Sequence, residues 1–468
     1  MNRLLPLLAC CLVLASFANT GNAATESDGT TALHRAVHTG DVELATRLVR
    51  EGADVNVANR YGTTALSLAS VNGNGAIVAL LLSAGADANA ALPGGETPLM
   101  TASRTGSLAV VKALLVAGAD IDAREEARGQ TALMWAAAEG NADVVAALIA
   151  HGADLRERLE SGFTPFLFAC RNGRTEVVQA LLKAGAEVNE SIVPAEGARR
   201  IGGAPRPGTS ALHLAVGNAH YELAVLLLEA GANPNADANG WTPLHSITGV
   251  RKPGGGDNNP APYGTGSMSS LDMVRALKKH GANLDARMSK RINVGLTKLN
   301  TLGATPFLLA ARSADAPLMR LLAELGADPL LPNADNSTPL MVAAGLGTRS
   351  PGEDAGTEAE VVEAIDVAVA LGNHLDAVDS NGETAMHGAA YKNLPGAVEA
   401  LMRHGANVAV WNANNRFGWT PLRIAQGYRF GNYKPSVVTV AVIEEALRKA
   451  GATATESTGR GRSDYEAP

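Results

Sequence analysis

Apolar residues along this chain recur in short bursts at spacings of three and four, and the bursts stop at glycines. In "DVVAALIAHG" and "EVVQALLKAG" the apolar positions share one side of a 3.6-residue helix. Gly152 and Gly185 then stand where a left-handed turn closes a helix. The same ending recurs at Gly52, Gly85, Gly118, Gly231, Gly281, Gly326, Gly372, Gly405 and Gly451. Upstream of these segments lies a shorter apolar stretch introduced by Thr, and in six cases by Thr-Pro, at 97–98, 164–165, 242–243, 305–306, 338–339 and 420–421. A Thr side chain caps free amides, and Pro loses nothing at the first helical position, where its missing N–H would be unpaired anyway. The pattern predicts a short helix, a tight turn, a second helix and an extended excursion. Tips such as Asn239-Gly240 and Asn381-Gly382 carry a hairpin signal.

This alternation is a repeat. Units begin near Gly29, Gly62, Gly95, Gly129, Gly162, Gly208, Gly240, Gly303, Asn336, Gly382 and Gly418, with a first spacing of 33 residues. The stretches "TALHRA", "SALHLA", "TPLHSI", "TAMHGAA" and "GADVN" resemble the signatures of ankyrin repeats. The resemblance implies an all-α solenoid of about eleven helix-turn-helix units with β-hairpin fingers. First helices and fingers would line a concave face, and the activity would be protein binding. Solenoid physics agrees, because a single unit cannot bury its own apolar face and stacked units can. The organisation read here is a signal peptide over 1–24, a repeat array over 25–452 and a polar tail over 453–468.

Four interruptions break the phase, at 191–207, 252–267, 288–302 and 347–360. Insertions in solenoids fall in loops, often on the binding face. Charge singles out the middle of the chain. Residues 191–303 carry twelve Lys and Arg against seven Asp and Glu, within a chain of net charge −7. This predicts a basic patch that steers an acidic partner, built from Arg199, Arg200, Arg206, Arg251, Lys252, Lys290 and Arg291. First-helix ends supply further groove candidates: Arg104, Glu139, Arg171, Arg312, Tyr391 and Lys392. The same patch supports an alternative, a receptor for a non-protein anion such as an acidic glycan or a phospholipid headgroup. Trp411, Phe417, Trp419, Tyr428, Phe430 and Tyr433 cluster within 23 residues, as a cap on the last unit or as an anchor for a partner.

The N-terminus has Arg3, the apolar run "LLPLLACCLVLASF" and small residues up to Ala23, the layout of a secretory signal peptide. Its removal leaves Cys170 alone, so no intrachain disulfide forms, and the periplasm or full secretion is expected, with lipidation at Cys10 or Cys11 the weaker reading. Cys170 reads as a buried thiol. His34, His213, His245 and His387 occupy one motif position and read as hydrogen-bonding residues, without the carboxylates of a zinc site. No nucleophile elbow, phosphate loop, zinc-protease motif or paired CxxC is present. The expectation is a monomeric binding protein with neither catalytic nor metal site and no cofactor.

Overall fold

The computed structural model describes residues 26–198, 205–237, 239–253, 261–292, 298–352, 354–429 and 434–459. The expected leader at 1–24, Arg199, Arg200, Phe430 and Tyr433 lie outside the described residues, as do parts of the interruptions. The chain forms two compact units, Met1–Leu214 and Ala215–Pro468.

In the first unit five helix pairs follow one another: Ala32–His38 with Val42–Arg50, Ala65–Asn72 with Gly75–Ser83, Pro98–Thr105 with Leu108–Val116, Ala132–Glu139 with Ala142–Ala150, and Pro165–Arg171 with Thr175–Lys183. The helix Ala211–Gly217 spans the division between the units, and Tyr221–Glu229 follows it. The second unit continues with Pro243–Arg251 and Ser270–Lys279, Pro306–Arg312 and Ala316–Glu324, Pro339–Ala343 and Glu358–Ala370, Ala385–Lys392 and Pro395–Arg403, and Pro421–Ala425 and Val437–Lys449. A short helix, Val408–Trp411, is the one addition to the expected pairs among the described residues.

Local chemistry explains the repetition. Thr97 Oγ1 accepts the Met100 amide at 3.3 Å and Thr305 Oγ1 the Leu308 amide at 3.2 Å, so these motif threonines cap their helices. All six Thr-Pro prolines occupy the first helical turn. The eleven glycines that close the second helices all have positive φ, from +64° at Gly451 to +98° at Gly152 and Gly185. First helices pack against neighbouring first helices and are buried nearly all round; Pro98–Thr105 buries every residue from Pro98 to Ser103. Second helices bury one stripe. Leu108–Val116 turns Val110, Val111 and Leu114 inward and leaves Val116 85% exposed.

The motif histidines link successive units. The Thr31 amide donates to His34 Nδ1 at 3.3 Å, which leaves Nε2–H to donate to Thr63 O at 3.0 Å. His245 does the same with Thr242 and with Ala304 O, at 3.1 Å each. The Asn of "GADVN" makes a second link. Asn56 Nδ2 donates to Gly85 O at 2.9 Å while its Oδ1 accepts the Asp87 amide at 2.8 Å, and Asn235 repeats this with Gly281 and Asn283.

The fingers differ from the hairpins expected. Among the described residues they hold no strand, only isolated bridges such as Ala58 with Thr64 and Ser191 with Ser210. The turns are too short for a ladder. A side chain closes them instead: Asn59 Oδ1 accepts the amides of Tyr61 and Thr63, both at 3.0 Å, and Asp379 acts likewise on Asn381 and Glu383. A backbone bond joins several fingers to the next, as from Arg60 N to Asp28 O (2.8 Å) or from Arg416 N to Asn381 O (2.8 Å). Residues 453–459 take up the same arrangement, with Gly459 N donating to Gly418 O at 2.8 Å, so this part of the expected tail is folded.

Candidate interaction surface

The groove candidates lie at the ends of the first helices. The first compact unit keeps them at solvent. The Arg104 guanidinium lies over the Trp135 ring at 5.2 Å, and Arg171 lies 5.1 and 5.2 Å from Phe163 and Phe168. Phe163 and Phe168 are buried against each other at 4.9 Å, while Trp135 and Arg171 are half-buried. The Arg104 side chain is 39% exposed and that of Glu139 51%. Glu96 is already engaged, accepting from Thr101 Oγ1 at 2.8 Å and from Arg104 Nη2 at 3.3 Å. Arg104 Nε, Trp135 Nε1 and Ser103 Oγ are buried atoms with no acceptor among the described residues. An unmet buried donor costs about 1–3 kcal/mol.

The second unit covers the equivalent places, and the interruptions of the repeat do the covering. The finger at 288–302 turns Met288, Ile292 and Leu299 inward onto Ala304, Leu308, Leu309 and Val342, with Trp241 against them. Thr301 Oγ1 pins it by accepting the Ile292 amide and donating to the Ile292 carbonyl. Lys298 N then donates to Gly347 O at 2.8 Å, which ties this finger to the loop of the ninth repeat. That loop meets the helix ends in turn. Asp354 accepts from Arg312 Nη2 at 3.1 Å and from Thr348 Oγ1 at 3.0 Å, and Lys392 Nζ donates to Ala355 O at 2.6 Å. Arg429, fully buried, reaches Thr348 O and Asn393 Oδ1, each at 3.4 Å.

Three groove candidates are therefore interior residues. Arg312, Tyr391 and Lys392 are 8%, 5% and 4% exposed, because the ninth-repeat loop and the segment carrying Arg429 lie over the helix ends that bear them. Tyr391 OH donates to Glu383 Oε1 at 2.8 Å, and Asn415 Nδ2 donates to the same oxygen at 3.0 Å. Burial pushes the Glu383 carboxyl up to about 7 and lowers the Lys392 ammonium to about 8.

Arg251 and Lys252 are half-buried and held in ion pairs. Arg251 Nε and Nη2 donate to Asp315 Oδ2 and Oδ1 at 2.6 and 2.9 Å, Nη1 donates to Ser270 Oγ at 2.6 Å, and the Asp315 side chain is wholly buried. Lys252 Nζ donates to Glu360 Oε1 at 2.7 Å and to Ala314 O at 2.9 Å. The hydrogen bond from Lys252 leads in lowering the Glu360 carboxyl to about 2. The far end of this interruption is anchored too. Glu222 Oε1 accepts the Ser267 and Met268 amides at 2.6 and 2.8 Å, and His220 Nδ1 lies 3.0 Å from Thr265 Oγ1. Of the remaining basic candidates, Lys290 and Arg291 are exposed and Arg206 is half-buried.

One residue that points to this covering is Gly388, which the sequence reading passed over. It sits in the first helix of "TAMHGAA", where a Cβ would stand 2.7 Å from Leu346 N and 2.8 Å from Met341 O. A glycine inside a helical pattern is the signal of such a close backbone approach.

The other chemistry is quiet. Cys170 is buried, and burial raises its thiol well above the usual range. His387 is buried, which lowers its imidazole to about 4. Trp411 and Trp419 are buried, 2% and 4% exposed. Among the described residues no three His, Cys, Asp or Glu side chains gather as a metal site, and no helix is long and apolar enough to cross a membrane.

Comparison with known sequences agrees with the architecture. The family description "Ankyrin repeats (3 copies)" matches residues 6–91 and 99–192, and "Ankyrin repeat" matches 208–238 and 381–413. A B-cell lymphoma 3 protein homolog from Mus musculus is similar, 35% identical over 139 residues. That similarity covers 29% of this chain and 24% of the length of the mouse protein.

Proposed function

This chain belongs to the ankyrin-repeat family, and we propose on that premise that it is an exported scaffold whose first compact unit holds the principal protein-binding face. The observation that carries the reading is the contrast between first-helix ends. Arg104, Glu139 and Arg171 stay at or near solvent on helices fixed by their neighbours, whereas Arg312, Tyr391 and Lys392 are enclosed. A face held rigid by stacked helices binds without much of the ordering cost that a flexible segment incurs. Export rests on the charged, apolar and small-residue layout of the first 24 residues, and the mature chain would begin after Ala23.

A photo-crosslinking residue placed at position 139 and, as a control, at the outward position 116 tests the binding face in the native cell envelope. Crosslinks to protein from 139 and not from 116 are the expected result. Equal labelling from both positions, or adducts with lipid or glycan alone, would refute the scaffold in favour of a receptor for non-protein anions. The intact mass of the protein recovered from the cell tests the leader, and retention of residues 1–23 would count against export.

A further inference from the structure

The loop of the ninth repeat lies where a ligand of the second unit would lie. In a regular unit such as the fourth, Gly140 and Asn141 alone join Ala132–Glu139 to Ala142–Ala150, and Glu139 is left exposed. In the ninth, residues 344–357 separate Pro339–Ala343 from Glu358–Ala370. The described part of that loop, 348–352 and 354–356, reaches the ends of the eighth and tenth first helices. It meets them as a bound peptide would. Asp354 sets one carboxylate on Arg312 at 3.1 Å, the Ala355 carbonyl accepts from Lys392 Nζ at 2.6 Å, and the Thr348 carbonyl accepts from Arg429 Nη2 at 3.4 Å.

This floor holds more donors than the loop satisfies. Three cations receive one carboxylate, and Asp354 shares it with Thr348 Oγ1 at 3.0 Å. Arg312 Nε and Arg429 Nε are buried with no acceptor among the described residues, and both bonds printed by Arg429 are long, at 3.4 Å. Burial with so little counter-charge lowers Lys392 to about 8 and Arg429 to about 10. A guanidinium is met fully only by a carboxylate that fits its fork, and a carbonyl serves it in part. The helices on either side are fixed without the loop. Pro339–Ala343 packs against Pro306–Arg312 and Ala385–Lys392. Glu358–Ala370 carries its own capping box, with Thr357 Oγ1 accepting the Glu360 amide at 3.3 Å and Glu360 Oε2 accepting the Thr357 amide at 2.8 Å. Glycines of positive φ stand at the entry, the middle and the exit of the loop, Gly347 (+87°), Gly352 (+83°) and Gly356 (+95°), so the chain re-orients there at low steric cost.

We propose that this loop is a built-in occupant of the second unit's groove, and that an acidic polypeptide segment displaces it by setting carboxylates on Arg312, Lys392 and Arg429. The loop is an autoinhibitory strap, and the face beneath it opens to a ligand that brings more carboxylate than Asp354 alone. A polypeptide fits because it retraces the path of the strap, which already offers main-chain carbonyls to two of the three cations. This second face is separate from the first-unit face proposed above, and the two stand or fall independently.

The probe is a fluorescein-labelled peptide alternating Glu with Ser, with Gln for Glu in the control, titrated into the full chain at low salt and read by anisotropy. The parent should bind the Glu peptide weakly, because only the fraction with a lifted strap is competent. Asp354→Asn keeps the side-chain shape and removes the charge that holds the strap to Arg312, so the Glu peptide should bind at least about tenfold more tightly and the Gln peptide should not. Adding Arg312→Gln and Lys392→Gln should cancel that gain. Trypsin reads the strap directly, since Arg349 is exposed on it. Cleavage after Arg349 should be severalfold faster in Asp354→Asn, and faster in the parent when the Glu peptide is in excess. Unchanged affinity in Asp354→Asn, or a gain that survives the loss of Arg312 and Lys392, would overturn the proposal. So would cleavage of the parent that excess Glu peptide leaves unchanged or slows, a result that needs no variant to fold. A sulfated glycan that speeds the cleavage as well as the Glu peptide does would overturn the choice of partner.

Discussion

Replacing Arg251 by Met separates a structural role from a binding role. The guanidinium donates twice to Asp315, at 2.6 and 2.9 Å, and the Asp315 side chain has no exposure, against 17% for that of Arg251. Asp315 Oδ1 also caps Ala316–Glu324 by accepting the Leu318 amide at 3.2 Å, so the carboxylate stays in place when the arginine is removed. It is then buried with a helix terminus and no counter-charge. Breaking a buried pair in this way costs about 3–5 kcal/mol, and the residual exposure of Arg251 puts the expectation near the lower end, about 3 kcal/mol. Repeat arrays do not unfold as one body, so a single midpoint is the wrong readout. Hydrogen exchange read peptide by peptide fits better. Amides of Pro243–Arg251 and Ala316–Glu324 should exchange roughly a hundredfold faster, by the rule of about 1.4 kcal/mol per tenfold. Adding Asp315→Ser, which keeps a capping oxygen and removes the stranded charge, should recover more than half of the loss. Exchange unchanged by Arg251→Met, or losses that simply add in the double variant, would show that the pair does not hold these helices together. Arg251 would then return to the surface candidates.

Two further outcomes follow from the covered half. Gly388→Ala would raise helix propensity by up to about 1 kcal/mol at an open site, but here the new methyl meets backbone at 2.7 and 2.8 Å, so a net loss of about 1–3 kcal/mol is expected. Exchange in Pro339–Ala343 and Ala385–Lys392 measures it, and a stabilised variant would mean that the backbone from Met341 to Leu346 does not approach this helix so closely. Glu383 has a folded pKa of about 7 against 4.5 unfolded, so the unfolded chain holds fewer protons between those values and stability falls as pH rises through that window. The full penalty is about 3 kcal/mol, so Glu383→Gln should be neutral near pH 4 and more stable than the parent by that order at pH 8. A stability difference independent of pH would remove Glu383 as the cause.

Much of the fold was legible because local rules write it. Thr97-Pro98 and its counterparts begin helices, and glycines such as Gly152 end them, through interactions that reach only a few residues. The eleven starting points follow from these rules alone. The fingers were misjudged because Asn-Gly at 381–382 marks a turn without saying how long its flanks pair. There the Asp379 carboxylate meets amides that a ladder would otherwise use. The interruptions were located by phase, and their roles were not, since their partners are remote in sequence. Lys252 meets Glu360 across 108 residues, and Arg429 meets Thr348 across 81. No periodicity carries such information.

The same remoteness applies to Arg251 and Lys252 in the basic middle of the chain. Composition counts Arg251 as a full charge, but an ion pair whose carboxylate is buried, as Asp315 is, projects little field into solvent, and its desolvation has already been met within the fold. What steers an approaching acidic segment is the charge left over after folding. In the second unit the described chain spends Arg251 and Lys252 on Asp315 and Glu360, Arg312 on Asp354 and Lys392 on a carbonyl, and keeps Arg275, Lys278, Lys279, Arg287, Lys290, Arg291 and Lys298 at the surface. In the first unit Arg104 is only loosely held by Glu96, at 3.3 Å, and Arg128 has no carboxylate partner among the described residues. Within a segment that is basic in composition, Arg251 and Lys252 thus stitch an interruption to helices, while the remaining described cations stay at or near the surface.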